Sequence, residues 1–93
     1  MDKKYTANKS SQFKKDLKKA VKRGYDLNLL YEVLGLLERG IPLPLKNRDH
    51  ALTGNWKGFR ECHVAPDWLL IYKIEGSTLI LTLQRTGTHS DLF

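Results

Sequence analysis

Apolar positions along this chain change their period once. From about residue 10 to residue 39 they recur at helical spacing, and after His50 they crowd into short runs of strand character. Residues 4–8 predict a short first strand, with Tyr5 and Ala7 on one face. Ser10 or Ser11 then caps a helix running to about Arg23, and Gly24 is placed to end it. Phe13, Leu17, Ala20 and Val21 follow the spacing of one buried stripe. A second helix runs from about Asp26 to Arg39, closed by Gly40 and the Pro42/Pro44 pair. Its inner stripe is Leu27, Leu30, Tyr31, Leu34 and Leu37. Leu29, Val33 and Leu36 are surplus apolar positions, and so few residues cannot cover a helix on all sides. That surplus favours a surface meant for a partner over complete burial.

The segments GFRECHVA, DWLLIYKIE and TLILTLQRT are rich in aromatic and aliphatic residues, with breaks at 65–67 and 75–77 short enough for antiparallel hairpins. Leu69–Ile71 and Leu79–Leu83 are apolar on both parities, as in central strands covered on more than one side. The expected architecture is α+β: two N-terminal helices packed on one face of a twisted antiparallel sheet, as one domain over residues 1–93. The opposite face is left to hold a site.

Charge narrows the partner. Sixteen Lys and Arg stand against ten acids, a net charge of +6, which points to an acidic partner. Lys14, Lys15, Lys18, Lys19, Lys22 and Arg23 cover the outer face of the first helix. That face is either solvated or a contact for an RNA backbone or the ribosome. The single cysteine, Cys62, excludes an internal disulfide and suits a reducing cytoplasm. Its neighbour His63 points to the other side of a strand, so Cys62 reads as a small core residue and not a nucleophile. The N-terminus has no apolar signal region and no stretch approaches a membrane span, so a soluble cytoplasmic protein is expected.

All three histidines, His50, His63 and His89, lie in the C-terminal half. Asp67 follows His63 by four residues and Arg85 precedes His89 by four. Imidazoles can take a proton in one step and return it in another, and arginine can hold a phosphate as negative charge builds. Each residue also has a plain structural role open to it, as turn former or exposed strand residue. Their conjunction at one sheet rim points to acid–base chemistry on an anionic substrate, for which RNA fits best. Arg85 alternates with Leu81 and Leu83, so it reaches that rim only if twist or a bulge turns it. Three histidines and an aspartate suggest zinc as a rival reading. No pair has tight ligand spacing on one helix, and the basic surroundings oppose a dication, so neither metal nor cofactor is expected. No strained-turn nucleophile and no glycine-rich phosphate loop is present.

The tract DHALTGNWKGFRECHVAPDWLLIYK, with QRTGTHSDLF at the end, closely resembles the YafQ family of bacterial toxins, within the RelE/ParE superfamily of toxin–antitoxin systems. The resemblance implies a ribosome-dependent endoribonuclease that cuts mRNA during translation and is restrained by a cognate antitoxin. It implies a compact microbial-ribonuclease-like sheet, and allows a heterotetramer with the antitoxin. The family's functional residues match here as His50, His63, Asp67, Arg85, His89 and Phe93, with Trp68 beside them. On this reading His50 or His63 is the base, Asp67 orients a histidine or favours its charged form, Arg85 steadies the phosphate and His89 protonates the leaving oxygen. Phe93 stacks on a base, Trp68 stacks or only packs, and Lys57 and Arg60 are counted with them as RNA-binding residues. The competing reading is a ParE-like inhibitor of DNA gyrase, or a catalytically silent antitoxin-binding protein. Neither needs an acid–base set.

Overall fold

A computed structural model describes residues 3–93. The first strand, β1 (Thr6–Lys9), leads into helix α1 (Ser11–Lys22) and helix α2 (Leu27–Glu38). Ser10 caps α1 by accepting the Phe13 N–H at 2.9 Å, and Asp26 caps α2 by accepting the Asn28 N–H at 3.0 Å. Gly24 (φ +76°) ends the first helix in the left-handed region that glycine reaches without strain. A 3₁₀ turn at Leu45–Asn47 precedes the two-residue strand β2 (His50–Ala51) and a second such turn at Gly54–Trp56. Strands β3 (Arg60–Ala65), β4 (Trp68–Glu75) and β5 (Ile80–Gly87) follow, and a one-turn helix α3 (His89–Leu92) closes the chain. No helix is long and apolar enough to cross a membrane.

The sheet runs in the order β1-β5-β4-β3-β2. The three hairpin-linked strands pair antiparallel, as their short breaks predict, whereas β1 lies parallel to β5 with Thr6 opposite Ile80. The sheet is therefore mixed at one edge. Both helices pack on one face, around Phe13, Leu30, Leu70, Tyr72, Leu81 and Leu83, none more than 1% exposed. Burying side chains of that size contributes about 1.5–3 kcal/mol each, which is what fixes the helices to the sheet.

Two helix stripes differ from the expected ones. In α1, Val21 is exposed, while Asp16 takes a place on the buried face beside Phe13 and Ala20. In α2, Tyr31 points outward and Val33 belongs to the core with Leu30, Leu34 and Leu37. Val33 is therefore not part of a partner surface, and of the surplus positions only Leu29 and Leu36 keep any exposure. The opposite sheet face is not wholly free either. Leu69 and Ile71 are covered there by Leu92, Leu52, Trp56 and Phe59, leaving the rim and the β2–β3 side open.

Candidate active site

Cross-strand pairing decides which side chains share the open face. One row runs His50–Glu61–Ile71–Arg85 across β2 to β5, and the next runs His63–Leu69–Gly87. Asp67 lies in the tight turn between β3 and β4, and His89 opens α3 directly after β5. Two irregularities sharpen this placement. Val64 is an extra residue against β4, and Gln84 is an extra residue between Leu83 and Arg85. The second bulge is the feature that changes the parity of Arg85 relative to Leu81 and Leu83.

His63, Asp67 and His89 meet at one rim. The His63 and His89 rings are 6.0 Å apart, and His89 Nδ1 lies 3.3 Å from Asp67 Oδ1, which also accepts the His89 backbone N–H at 3.3 Å. A carboxylate only accepts, so Nδ1 carries a hydrogen and Nε2 is the atom of His89 that exchanges protons with a substrate. His63 Nδ1 lies 3.3 Å from the Pro66 carbonyl, which likewise only accepts. The neutral ring is then the tautomer with an unprotonated Nε2, the form a general base requires. Phe93 stands beyond His89, with ring centroids 6.4 Å apart, and Trp56 lies 6.5 Å further on. Phe93 is 59% exposed, and an aromatic side chain exposed at this rim can stack on a base.

His50 is built differently. Its Nδ1 donates to the Arg48 carbonyl at 2.8 Å, and Nε2 faces the carboxylate of Glu61 at 3.6 Å. Glu61 is buried, whereas the His50 side chain is half exposed. Asp49, the residue before His50, is anchored by accepting from the Tyr72 hydroxyl and from Arg60 Nε at 3.3 Å and Nη2 at 3.2 Å. Burial and then Asp49 push the Tyr72 hydroxyl well above the usual tyrosine range, so it stays a donor. Arg60 is therefore engaged within the fold and is not a free RNA ligand, in contrast to the exposed Lys57.

Arg85 shares the cross-strand row of His50 and Glu61, and α1 holds it there. Its guanidinium turns toward α1, where Nε meets Asp16 Oδ2 at 2.8 Å and Nη2 meets Oδ1 at 3.3 Å. Asp16 holds that guanidinium firmly in its charged form. The same carboxylate accepts the Thr86 N–H at 3.1 Å. Nη1 of Arg85 has no hydrogen bond among the described residues. Trp68 is corrected more sharply: it is 4% exposed, donates Nε1–H to the Thr86 hydroxyl at 2.8 Å and packs against Tyr25. It offers no ring face to RNA. Asp16, Asp49 and Glu61 are the residues that sequence reasoning passed over, because each acquires its meaning from a partner distant in the chain.

Cys62 is fully buried, and burial pushes its thiol up to about 12. It is expected to stay unmodified by thiol reagents in the folded protein and to react once the chain is denatured. Rapid labelling of the native protein would return it to the candidate nucleophiles.

The terminal turn that carries His89 and Phe93 is clamped to α1. Asp91 accepts from Arg23 Nη1 at 2.6 Å, Arg23 Nη2 at 3.0 Å and Lys19 Nζ at 3.1 Å, and closes a capping box with Thr88. Arg23 and the Thr88 backbone N–H hold the Asp91 carboxyl far below the usual range. A carboxyl depressed on folding contributes stability that is fully present above its unfolded value, near 3.9, and is lost only as pH falls through the folded one. The backbone amide resonance of Thr88, which donates to Asp91 at 2.9 Å, should therefore keep its folded position as other carboxylates titrate, and shift only at more acid pH. In Asp91→Asn that late acid step should be absent.

Among the described residues no three His, Cys, Asp or Glu side chains cluster so as to hold a metal ion. Comparison with known proteins gives consistent matches across nearly the whole chain. The profile described as bacterial toxin of type II toxin–antitoxin system, YafQ, matches residues 5–93. The mRNA interferase toxin YafQ of Escherichia coli K12 is 48% identical over 85 residues, covering 90% of each chain. A chain of the E. coli DinJ–YafQ toxin–antitoxin complex superposes with a TM-score of 0.88 at 45% identity, over 97% of this chain and 98% of that one. A metal-bound toxin from Helicobacter pylori superposes with a TM-score of 0.90 at 50% identity, over 96% and 99% of the two chains. On this evidence the chain belongs to the YafQ family of toxins of bacterial type II toxin–antitoxin systems.

Proposed function

We propose that the protein is an mRNA interferase that cuts ribosome-bound mRNA by acid–base catalysis without a metal. The observation that carries this reading is the rim at which His63, Asp67 and His89 converge, with an exposed aromatic ring beside them. His63 Nε2 takes the proton of a ribose 2′-hydroxyl as its oxygen attacks the adjacent phosphorus. His89 gives a proton to the departing 5′-oxygen, leaving a 2′,3′-cyclic phosphate and a 5′-hydroxyl end. Asp67 holds the His89 ring through Nδ1, so that Nε2 faces the leaving group. Nη1 of Arg85 supplies positive charge and a hydrogen bond to the phosphate as it becomes pentacovalent, and the exposed His50 ring stands on the same cross-strand row. Phe93 stacks on a base beside the cut, and the exposed lysines of α1 meet the RNA backbone of the ribosome.

A cognate antitoxin completes the system in this reading. The relative named above occurs in a complex with DinJ. The basic surface here, with Leu29 and Tyr31 exposed on α2, suits an acidic segment that folds onto the toxin.

The test is to map cleavage of an mRNA in a reconstituted translation reaction, with and without ribosomes. Cleavage is expected only when ribosomes translate the message. It should persist with a chelator that binds zinc and copper but spares the magnesium that ribosomes need. Loss of cleavage in that chelator, restored by zinc, would establish a metal mechanism instead.

A further inference from the structure

Beside the His63 side of the rim lies a cavity of about 330 Å³ that the chemistry above does not use. It opens between the turn Lys46–Arg48 and the β3 end from His63 to Pro66. Its lining residues include Lys46, Arg48 and His63, and none that bears a carboxylate. Among the described residues neither Lys46 nor Arg48 has an ion-pair partner, unlike Arg23, Arg60 and Arg85, which are all paired. The turn is also fixed in place. Asn47, itself 6% exposed, donates Nδ2–H to the His63 carbonyl at 2.7 Å and so ties the two cations to the strand that carries the base. Arg48 adopts a left-handed backbone (φ +47°), unusual for a side chain with a Cβ. A non-glycine residue in that region often marks a position the surroundings impose for function.

We propose that this cavity is a second phosphate subsite for the RNA chain, gripping a phosphate next to the one that is cut. The inference rests on the cleavage reading. A strand whose scissile phosphate lies between His63 and His89 leaves the rim on two sides. Phe93 and Trp56 receive it on the His89 side, and on the His63 side it crosses into the cavity between Lys46 and Arg48. There the two cations bind a phosphate without regard to sequence and add affinity for the RNA chain.

The test compares wild type with Lys46→Gln/Arg48→Asn in the translation reaction, reading half-saturating toxin concentration and maximal cleavage rate separately. Asparagine tolerates the left-handed backbone at 48, so an unchanged melting temperature is expected. The half-saturating concentration should rise roughly tenfold, with the maximal rate kept within about twofold, and the salt dependence should weaken by roughly 0.7 in log–log slope. A synthetic mRNA with a neutral methylphosphonate at the flanking linkage should weaken the wild type by a similar factor and the double variant hardly further. Additive losses, an unchanged half-saturating concentration, or a fall confined to the maximal rate would overturn the subsite. Weaker binding to the antitoxin with unchanged cleavage would show that the cavity serves that protein instead. A wild type that cuts no mRNA would overturn the cleavage reading itself, and this inference with it.

Discussion

Replacing His89 by alanine is expected to slow mRNA cleavage by ~10²–10⁴-fold, the usual contribution of a general acid, and to leave the fold intact. The fold should tolerate the change because the His89 side chain is 58% exposed and α3 is capped by Thr88 and Asp91, not by the imidazole. Exposed substitutions of this kind stay within about 0.5 kcal/mol. Asp67→Asn should cost much less, roughly tenfold on the scale of a lost orienting contact. The amide oxygen of asparagine still accepts Nδ1–H, and only the charge is lost. Single-turnover cleavage rates with melting temperatures on the same preparations check both. A folded His89→Ala protein that cuts at the wild-type rate would move the acid to another residue, His50 being the next proton carrier on that face.

Much of this arrangement could be read from residue order, and the failures have a common physical cause. Helix limits were legible because caps are local: Ser10, Asp26 and Gly24 act on residues within a few positions. The hairpins were legible because short breaks leave only antiparallel pairing open. The parallel β1–β5 pair was not, since four residues with no clear alternation do not declare a partner more than seventy positions away. In α1, hydrophobicity assigned the stripe to Val21, but Asp16 lies three residues after Phe13 and faces the same way. Its burial is explained only by Arg85 and the Thr86 amide, which contact order hides from any local reading. At the site, His63, Asp67 and His89 converge as their placement at strand ends and turns suggested. Trp68 was ambiguous by composition and is settled by the Thr86 hydroxyl that satisfies its indole N–H.

The largest effect on stability is expected at Asp16. The carboxylate is nearly buried, meets two nitrogens of Arg85, accepts from Gln12 Nε2 and caps the Thr86 amide, so Asp16→Ala strands four donors at once. Breaking a fully buried pair costs about 3–5 kcal/mol. Here the Arg85 side chain keeps 22% of its exposure, and water can satisfy part of the guanidinium. A loss of about 2–3 kcal/mol is therefore expected, between the exposed and buried limits. Asp16→Asn should lose about half as much, because its carbonyl can still serve one donor. Replacing both partners by apolar residues, Asp16→Leu with Arg85→Met, should recover part of the stability, as uncharged isosteres remove the desolvation penalty together with the attraction, while the buried Thr86 N–H stays without an acceptor. The double variant also separates two roles of Arg85. If the arginine acts only as a structural partner of α1, the folded double variant should cut mRNA at nearly the wild-type rate. If Arg85 steadies the reacting phosphate, the double variant should be more stable than Asp16→Ala and still lose cleavage by roughly 10²-fold or more. Denaturant unfolding and single-turnover cleavage on the same protein distinguish the two outcomes. A destabilisation by Asp16→Ala of under about 0.5 kcal/mol would show that the ion pair is as loosely held as an ordinary surface pair.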